Sequence, residues 1–221
     1  MQKRTKLSQR NLPRYSKAEE ITNMITHIVG GVLGILALCL CIFLTNTALA
    51  TTGACIYGSS MIALYTVSSV YHGMHPGTGK KVMQILDHCT IYFLICGTYT
   101  VIMTSAMIPV FPAVGWGILA AQWVLAALAI TLTAIDLRKY RVFSMACYIF
   151  LGWMILFFLP QALEALGRIS FAFLLAGGIV YTLGAILYGI GAKLPWFHSI
   201  FHIFVVVGSF LQLVSILLFL I

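Results

Sequence analysis

Long apolar runs broken by short polar or turn-forming stretches organise this chain. The runs cover approximately 21–44, 52–72, 83–106, 113–135, 142–161, 169–190 and 197–220. Each is long enough for a helix to cross a bilayer, which takes about 20 residues for roughly 30 Å of hydrocarbon. Between them lie Thr45–Asn46–Thr47, His75–Pro76–Gly77, Pro109 with Pro112, Arg138–Lys139–Tyr140–Arg141, Glu164 to Arg168, and Lys193–Leu194–Pro195. The start of the fourth run falls between Ile108 and Trp116. The pattern predicts an all-α polytopic membrane protein with seven transmembrane helices.

Composition narrows this further. With 61% hydrophobic and 8% charged residues, no soluble surface can be covered, so the chain divides into a basic tail over 1–20 and one transmembrane domain over 21–221. A net charge of +8 invites a nucleic-acid reading, but a nucleic-acid footprint is a basic stripe on a folded face. Here Lys3, Arg4, Lys6, Arg10, Arg14 and Lys17 crowd the tail, and the other basic residues occupy short loops. No nucleic-acid partner is expected; anionic inner-leaflet lipid is the expected partner of the tail. Lys80, Lys81, Arg138, Lys139, Arg141 and Lys193 fall on the same side as the tail, leaving Arg168 alone opposite. Basic loops stay cytoplasmic, which predicts the N-terminus in the cytoplasm and the C-terminus outside.

Smaller features have structural readings. Ala48-Leu49-Ala50 resembles a signal-peptidase site, but the apolar run before it is longer than a signal core and carries His27, so it is read as a retained span. Gly30 and Gly34 form a GxxxG suited to close helix packing. Cys39, Cys41, Cys55, Cys89, Cys96 and Cys147 show no CxxC pair and are read as buried packing residues.

Ionisable residues inside spans are costly and mark candidate sites. On the seven-span scheme all six histidines lie near the inner membrane face. His27 follows Glu20 and Asn23 at the start of the first span, at i, i+3, i+7. His72 ends the second, one turn after Ser68, and Asp87 and His88 open the third. His198 and His202 begin the seventh. Spaced i, i+4, they share one face with Cβ atoms about 5–6 Å apart, a geometry in which two imidazoles can bind one metal. His72 can add a third nitrogen, and Asp87 a carboxylate to the metal or to its water. Three histidines with an open position are a catalytic type of zinc site. Interfacial histidines also serve simply as hydrogen-bonding helix-end residues, Asp87 as a partner for a helix dipole, and both readings stand on the spacing alone. His75, beside Pro76, and His88, about 100° round the helix from Asp87, are poorer ligand candidates.

Several stretches carry a resemblance. Glu19-Glu20-Ile21-Thr22-Asn23 with Ile25-Thr26-His27, Ser68-Ser69-Val70-Tyr71-His72, Leu86-Asp87-His88-Cys89-Thr90-Ile91-Tyr92, Gly97-Thr98-Tyr99-Thr100, and His198 to Ser209 together resemble the hemolysin III family. That family is the bacterial arm of the progestin and adipoQ receptor group, which includes the adiponectin receptors and is more distantly similar to alkaline ceramidases. The resemblance covers 17–221. It implies a seven-helix fold in the bacterial cell (inner) membrane and zinc (Zn2+) held by His72, His198 and His202. It also implies that Asp87 contacts the metal through water and that Ser68 lies near the zinc. Relatives often carry a further histidine where this chain has Gln212. That position is about 15 Å along the helix from His202, so the change is expected to leave the metal site intact and to act deeper in the bundle.

The expected function is a metal-dependent hydrolase of lipid amides or esters at the inner leaflet, with membrane lipid as substrate or ligand. Asp87 and Ser68 would be its catalytic residues, and Glu20, Asn23 and His27 would support the ligands, as metal-bound histidines usually require. Two other classes remain open: a non-enzymatic sensor or regulator of membrane state with structural zinc, and a pore-forming cytolysin.

Overall fold

The computed structural model describes residues 5–190 and 194–221. Among them, seven helices are long and apolar enough to span a membrane: α1 (Lys17–Leu44), α2 (Ala48–Gly73), α3 (Thr78–Val110), α4 (Pro112–Ile135), α5 (Arg141–Leu166), α6 (Arg168–Ile190) and α7 (Phe197–Leu220). The described residues contain no strand. Lys3, Arg4 and Lys193, used above to orient the chain, lie outside the described residues.

The first two helices begin about a turn before their apolar runs because they are capped by polar residues. Ser16 Oγ accepts the Glu19 N–H at 3.2 Å while Glu19 Oε2 accepts the Ser16 N–H at 2.8 Å, a reciprocal capping box. Thr47 Oγ1 accepts the Ala50 N–H at 3.2 Å. The apolar run measures only the part of each helix that suits hydrocarbon, and the capped first turn extends beyond it. Residues 17–20, read as tail from the sequence, are therefore the first turn of α1.

Prolines explain the breaks further along. Pro109 has no N–H for the Ser105 carbonyl four residues back, and α3 widens into a π turn over Met103–Met107. Pro112 then opens α4 in its first turn, where a missing N–H costs nothing; this settles the sliding start of the fourth span. In α5, Pro160 sits just after a 3-10 stretch, Met154–Phe158. A broken helix in lipid leaves backbone groups without partners, and neighbouring helices supply them. Tyr99 Oη donates to the Gly152 carbonyl at 3.1 Å and accepts the Ile155 N–H at 2.8 Å. Gln122 Nε2 donates to the Leu151 carbonyl at 2.8 Å. The expected break from Glu164 to Arg168 shrinks to Gly167, whose φ of 75° turns α5 directly into α6.

Packing places α3 at the centre: 72% of its most apolar window is buried, against 50% or less in the other spans. α1 packs on α2 and α7, α2 on α3, α3 on α4, and α6 on α7. The inward stripe of α1 is polar or small (Glu19, Asn23, His27, Gly30, Gly34, Ala37, Cys41), while Ile21, Ile25, Ile28 and Val32 face outward. This inversion of the soluble pattern suits a lipid solvent. Gly30 and Gly34 act as expected, since a Cβ on Gly30 would overlap the Tyr65 ring and one on Gly34 would come within 3.0 Å of the Ile62 nitrogen. All six cysteines are free. Cys41, Cys89 and Cys96 are buried as expected, but Cys55 and Cys147 are half-buried and Cys39 is exposed on the outer face of α1, off the inward stripe.

The described part of the tail, residues 5–16, read as a basic segment partnered by anionic lipid, is laid across the end of the bundle. Arg10 is buried and its Nη2 donates to the Ile135 carbonyl at 3.1 Å, satisfying a helix C-terminus. The Thr5 N–H reaches Asp136 Oδ2 at 2.8 Å, and Lys81 Nζ donates to the Ser8 carbonyl at 3.1 Å. Burial pushes the Asp136 carboxyl up, but N–H donors from Thr5 and Lys139 outweigh it and hold its pKa below the ordinary value.

Candidate metal centre

Two helix ends bring three imidazoles together. His72 lies in the last turn of α2; His198 and His202 occupy the first turns of α7. The start of α7 is tightly specified. Its N-cap, Trp196, adopts φ 69°, the one positive φ at a non-glycine among the described residues, a costly conformation for a bulky side chain. Its N–H is held by Glu19 Oε1 at 2.7 Å, so α1 anchors the turn from which His198 projects.

His72 Nε2 lies 3.3 Å from His198 Nε2, and His198 Nε2 lies 3.1 Å from His202 Nε2. One ligand atom from each ring falls within 4.8 Å of the others. A neutral imidazole nitrogen carries either a proton or a lone pair, so a single proton on His198 Nε2 can serve only one of these two contacts. A cation among the three nitrogens satisfies both. Tetrahedral zinc with Zn–N near 2.0–2.1 Å sets its nitrogens about 3.3–3.4 Å apart, close to the two distances from His198 Nε2. The residues therefore fit a metal ion.

Each ring is held from behind. Glu20 Oε2 lies 2.6 Å from His72 Nδ1, with Asn23 Nδ2 at 3.4 Å. A proton on Nδ1 donated to that carboxylate leaves the Nε2 lone pair free, the usual carboxylate–histidine–metal arrangement. The Nδ1 atoms of His198 and His202 have no such partner, and stacking holds these rings instead. Tyr15 lies on His198 at 4.8 Å and 12°, and His27 on His202 at 3.8 Å and 19°. Burial pushes the Tyr15 phenol well above its usual pKa, so it covers the site as a neutral ring.

Beside the trio opens a cavity of about 170 Å3. His198, His202, His27, Ser68, Asp87 and His88 line its polar end; Ile91, Ile95, Leu174 and Val205 line its apolar wall. Ser68 Oγ and both ring nitrogens of His27 are buried without hydrogen-bond partners. Asp87 contributes no ligand atom to the trio; its Oδ2 is 3.8 Å from His88 Nδ1. Gln212 borders the same cavity, further along α7 as its spacing requires.

The sequence-predicted residues thus fall into three groups: His72, His198 and His202 converge; Ser68, Asp87 and His27 border the adjoining cavity; Glu20 and Asn23 stand behind His72. His88, rated a poor ligand, does not join the trio but does face the cavity, its Nδ1 occupied by the Gln84 carbonyl at 2.9 Å. His75 is exposed in the α2–α3 loop. Two neighbours escaped sequence reasoning: Tyr15, hidden in a basic tail, and Lys80, read only as a topology charge. Lys80 Nζ lies 2.6 Å from Glu20 Oε1.

These features define a multi-pass membrane protein with a three-histidine group, His72 and His202 buried and His198 half-buried, able to hold a metal ion. The chain belongs to the hemolysin III family: residues 15–213 match the family model described as "Haemolysin-III related". It is similar to "Hemolysin-3" of Bacillus cereus, 39% identical over 204 residues and 91% of each chain. It is also similar to "Hemolysin-3 homolog" of Bacillus subtilis (strain 168), 35% identical over 194 residues, 86% of this chain and 89% of the relative. A weaker similarity, 26% over 162 residues (71% of this chain, 65% of the other), extends to "Monocyte to macrophage differentiation factor" of Homo sapiens, a member of the progestin and adipoQ receptor family.

Proposed function

We propose that this protein is a zinc-dependent hydrolase of lipid amides or esters, with its N-terminus in the cytoplasm and its site near the inner leaflet of the cell membrane. The observation that carries the reading is the convergence of three histidine nitrogens, two of them on rings (His198 and His202) that also line a largely apolar cavity. A zinc ion supplies a Lewis acid and a nucleophile from water near pH 7. His72, His198 and His202 would hold it. The apolar wall accepts an acyl chain and brings its carbonyl to the polar end. Asp87 takes a proton from the attacking water as the water oxygen bonds to the acyl carbon. Ser68 Oγ–H, which has no other partner, donates to the carbonyl oxygen as it gains charge. Breaking the acyl bond sends the electron pair to the departing nitrogen or oxygen, and Asp87 returns its proton there, giving a fatty acid and an amine or alcohol. His27, stacked on His202, keeps that ring in place.

Asp87→Asn should retain zinc and lose turnover of a lipid amide or ester presented in mixed micelles. Turnover at the parental rate would remove Asp87 from the mechanism. A second reading follows from the name of the Bacillus cereus relative: lysis of membranes. Leakage of a dye from liposomes on addition of purified protein, undiminished in Asp87→Asn, would favour it over hydrolysis.

A further inference from the structure

Lysine is almost never fully buried unless its charge is paired. Lys80 is 4% exposed, whereas its neighbour Lys81 reaches the exposed Ser8 carbonyl. The Lys80 ammonium has three donors and finds three acceptors. They are Glu20 Oε1 at 2.6 Å, the Met74 carbonyl at 3.0 Å, and the face of Tyr71 at 5.2 Å from the ring centroid. Glu20 divides its two oxygens between Lys80 and His72 Nδ1. Three helices meet in this chain of contacts: α1 carries Glu20, α2 His72, and the first turn of α3 Lys80.

The geometry assigns Lys80 a role beyond topology: we infer that it is a positioning residue for the metal centre, holding Glu20 so that His72 Nε2 stays aimed at His198 and His202. His198 and His202 ride on one helix and keep their mutual spacing whatever happens elsewhere. His72 comes from a different helix, and it is the one ligand ring of the three whose Nδ1 is hydrogen-bonded. Its aim decides whether the ligand set has three nitrogens or two. The Glu20 side chain is 20% exposed; without Lys80 its carboxylate is free to swing toward water and leave His72 Nδ1 without its acceptor. Lys80 thus acts on His72 through Glu20 and touches no ligand atom.

The inference rests on the reading that the trio holds a metal. Its test is metal binding by the full-length protein in detergent, with zinc affinity from chelator competition and the visible absorption of the cobalt(II)-loaded protein. Removing a supporting partner of a ligand costs about 10–100-fold in affinity. Lys80→Met, one contact further out, should weaken zinc binding about 10-fold and shift the cobalt bands as His72 turns away. Lys80→Arg, which keeps the charge and donors, should stay within about 3-fold of the parent. A general loosening of the fold lowers the melting temperature of the metal-free protein without moving the cobalt bands. If Lys80→Met does not fold, Lys80→Gln takes its place with the same expectation. Parental affinity and an unchanged cobalt spectrum in the variant would overturn the role of Lys80 alone. Failure of the parent to bind either metal would overturn the metal reading itself.

Discussion

Replacing Tyr99 by Phe removes one oxygen atom from the interior and nothing else. That oxygen serves two backbone groups at the break in α5, accepting from the Ile155 N–H at 2.8 Å and donating to the Gly152 carbonyl at 3.1 Å. Phe fills the same ring space, so no cavity forms, and the loss is confined to those two groups. A buried polar group left without a partner costs about 1–3 kcal/mol, and although Tyr99, Gly152 and Ile155 border the cavity, its wall there is mostly apolar and holds water poorly. Gln122 Nε2 already occupies the Leu151 carbonyl, to which the Ile155 N–H would otherwise return in a regular helix, so self-repair is incomplete. The expected destabilisation is about 2–4 kcal/mol. For a chain of this size that is a fall of about 5–12 °C in melting temperature, read by thermal unfolding in detergent. Zinc affinity should stay at the parental value, because both Tyr99 hydrogen bonds go to the α5 backbone and neither to the histidines or their supports. A melting temperature within about 1 °C of the parent would refute the claim that Tyr99 holds the break together.

Other consequences are as direct. Ser68→Ala should keep its zinc and lose about 100-fold in kcat, with KM for the lipid nearly unchanged; a rise in KM with kcat unchanged would make Ser68 a substrate contact instead. The tail should be pH-sensitive through Asp136. Its folded-state pKa lies below the ordinary carboxylate value of about 3.9, so its contribution to docking is present above that value and is lost as pH falls through the folded-state pKa. A fluorophore attached through Ser8→Cys should therefore become more mobile in anisotropy measurements only once pH falls below the ordinary carboxylate range, and in Asp136→Asn it should be mobile at neutral pH as well. A tail as immobile at neutral pH in Asp136→Asn as in the parent would break that link.

How far the chain can be read without its structure depends on the range of the interaction. The seven spans follow from local apolar length, and their polar caps only lengthen them. His198 with His202 is a within-helix spacing, and His72 was added as one more histidine at the same membrane face. Behind these lie contacts between segments far apart in sequence. Glu20 meets His72 across 52 positions and Lys80 across 60. No local signal separates a buried, paired lysine from its exposed neighbour Lys81, since both look like loop charges. Tyr15 is one aromatic in a basic tail, and its place on His198 depends on Arg10 and Thr5 finding the end of α4. The break in α5 lies beside Pro160, inside a stretch read from the sequence as one uninterrupted run, and the Tyr99 and Gln122 contacts that make it tolerable come from other helices.

The most direct test of the central claim is elemental analysis of detergent-purified protein, prepared without chelator, beside His72→Ala and His198→Ala. About one zinc ion per chain in the parent and its loss in both variants is the predicted result. A metal-free parent, or variants that keep their zinc, would contradict it and leave the three histidines as packing residues at the helix ends.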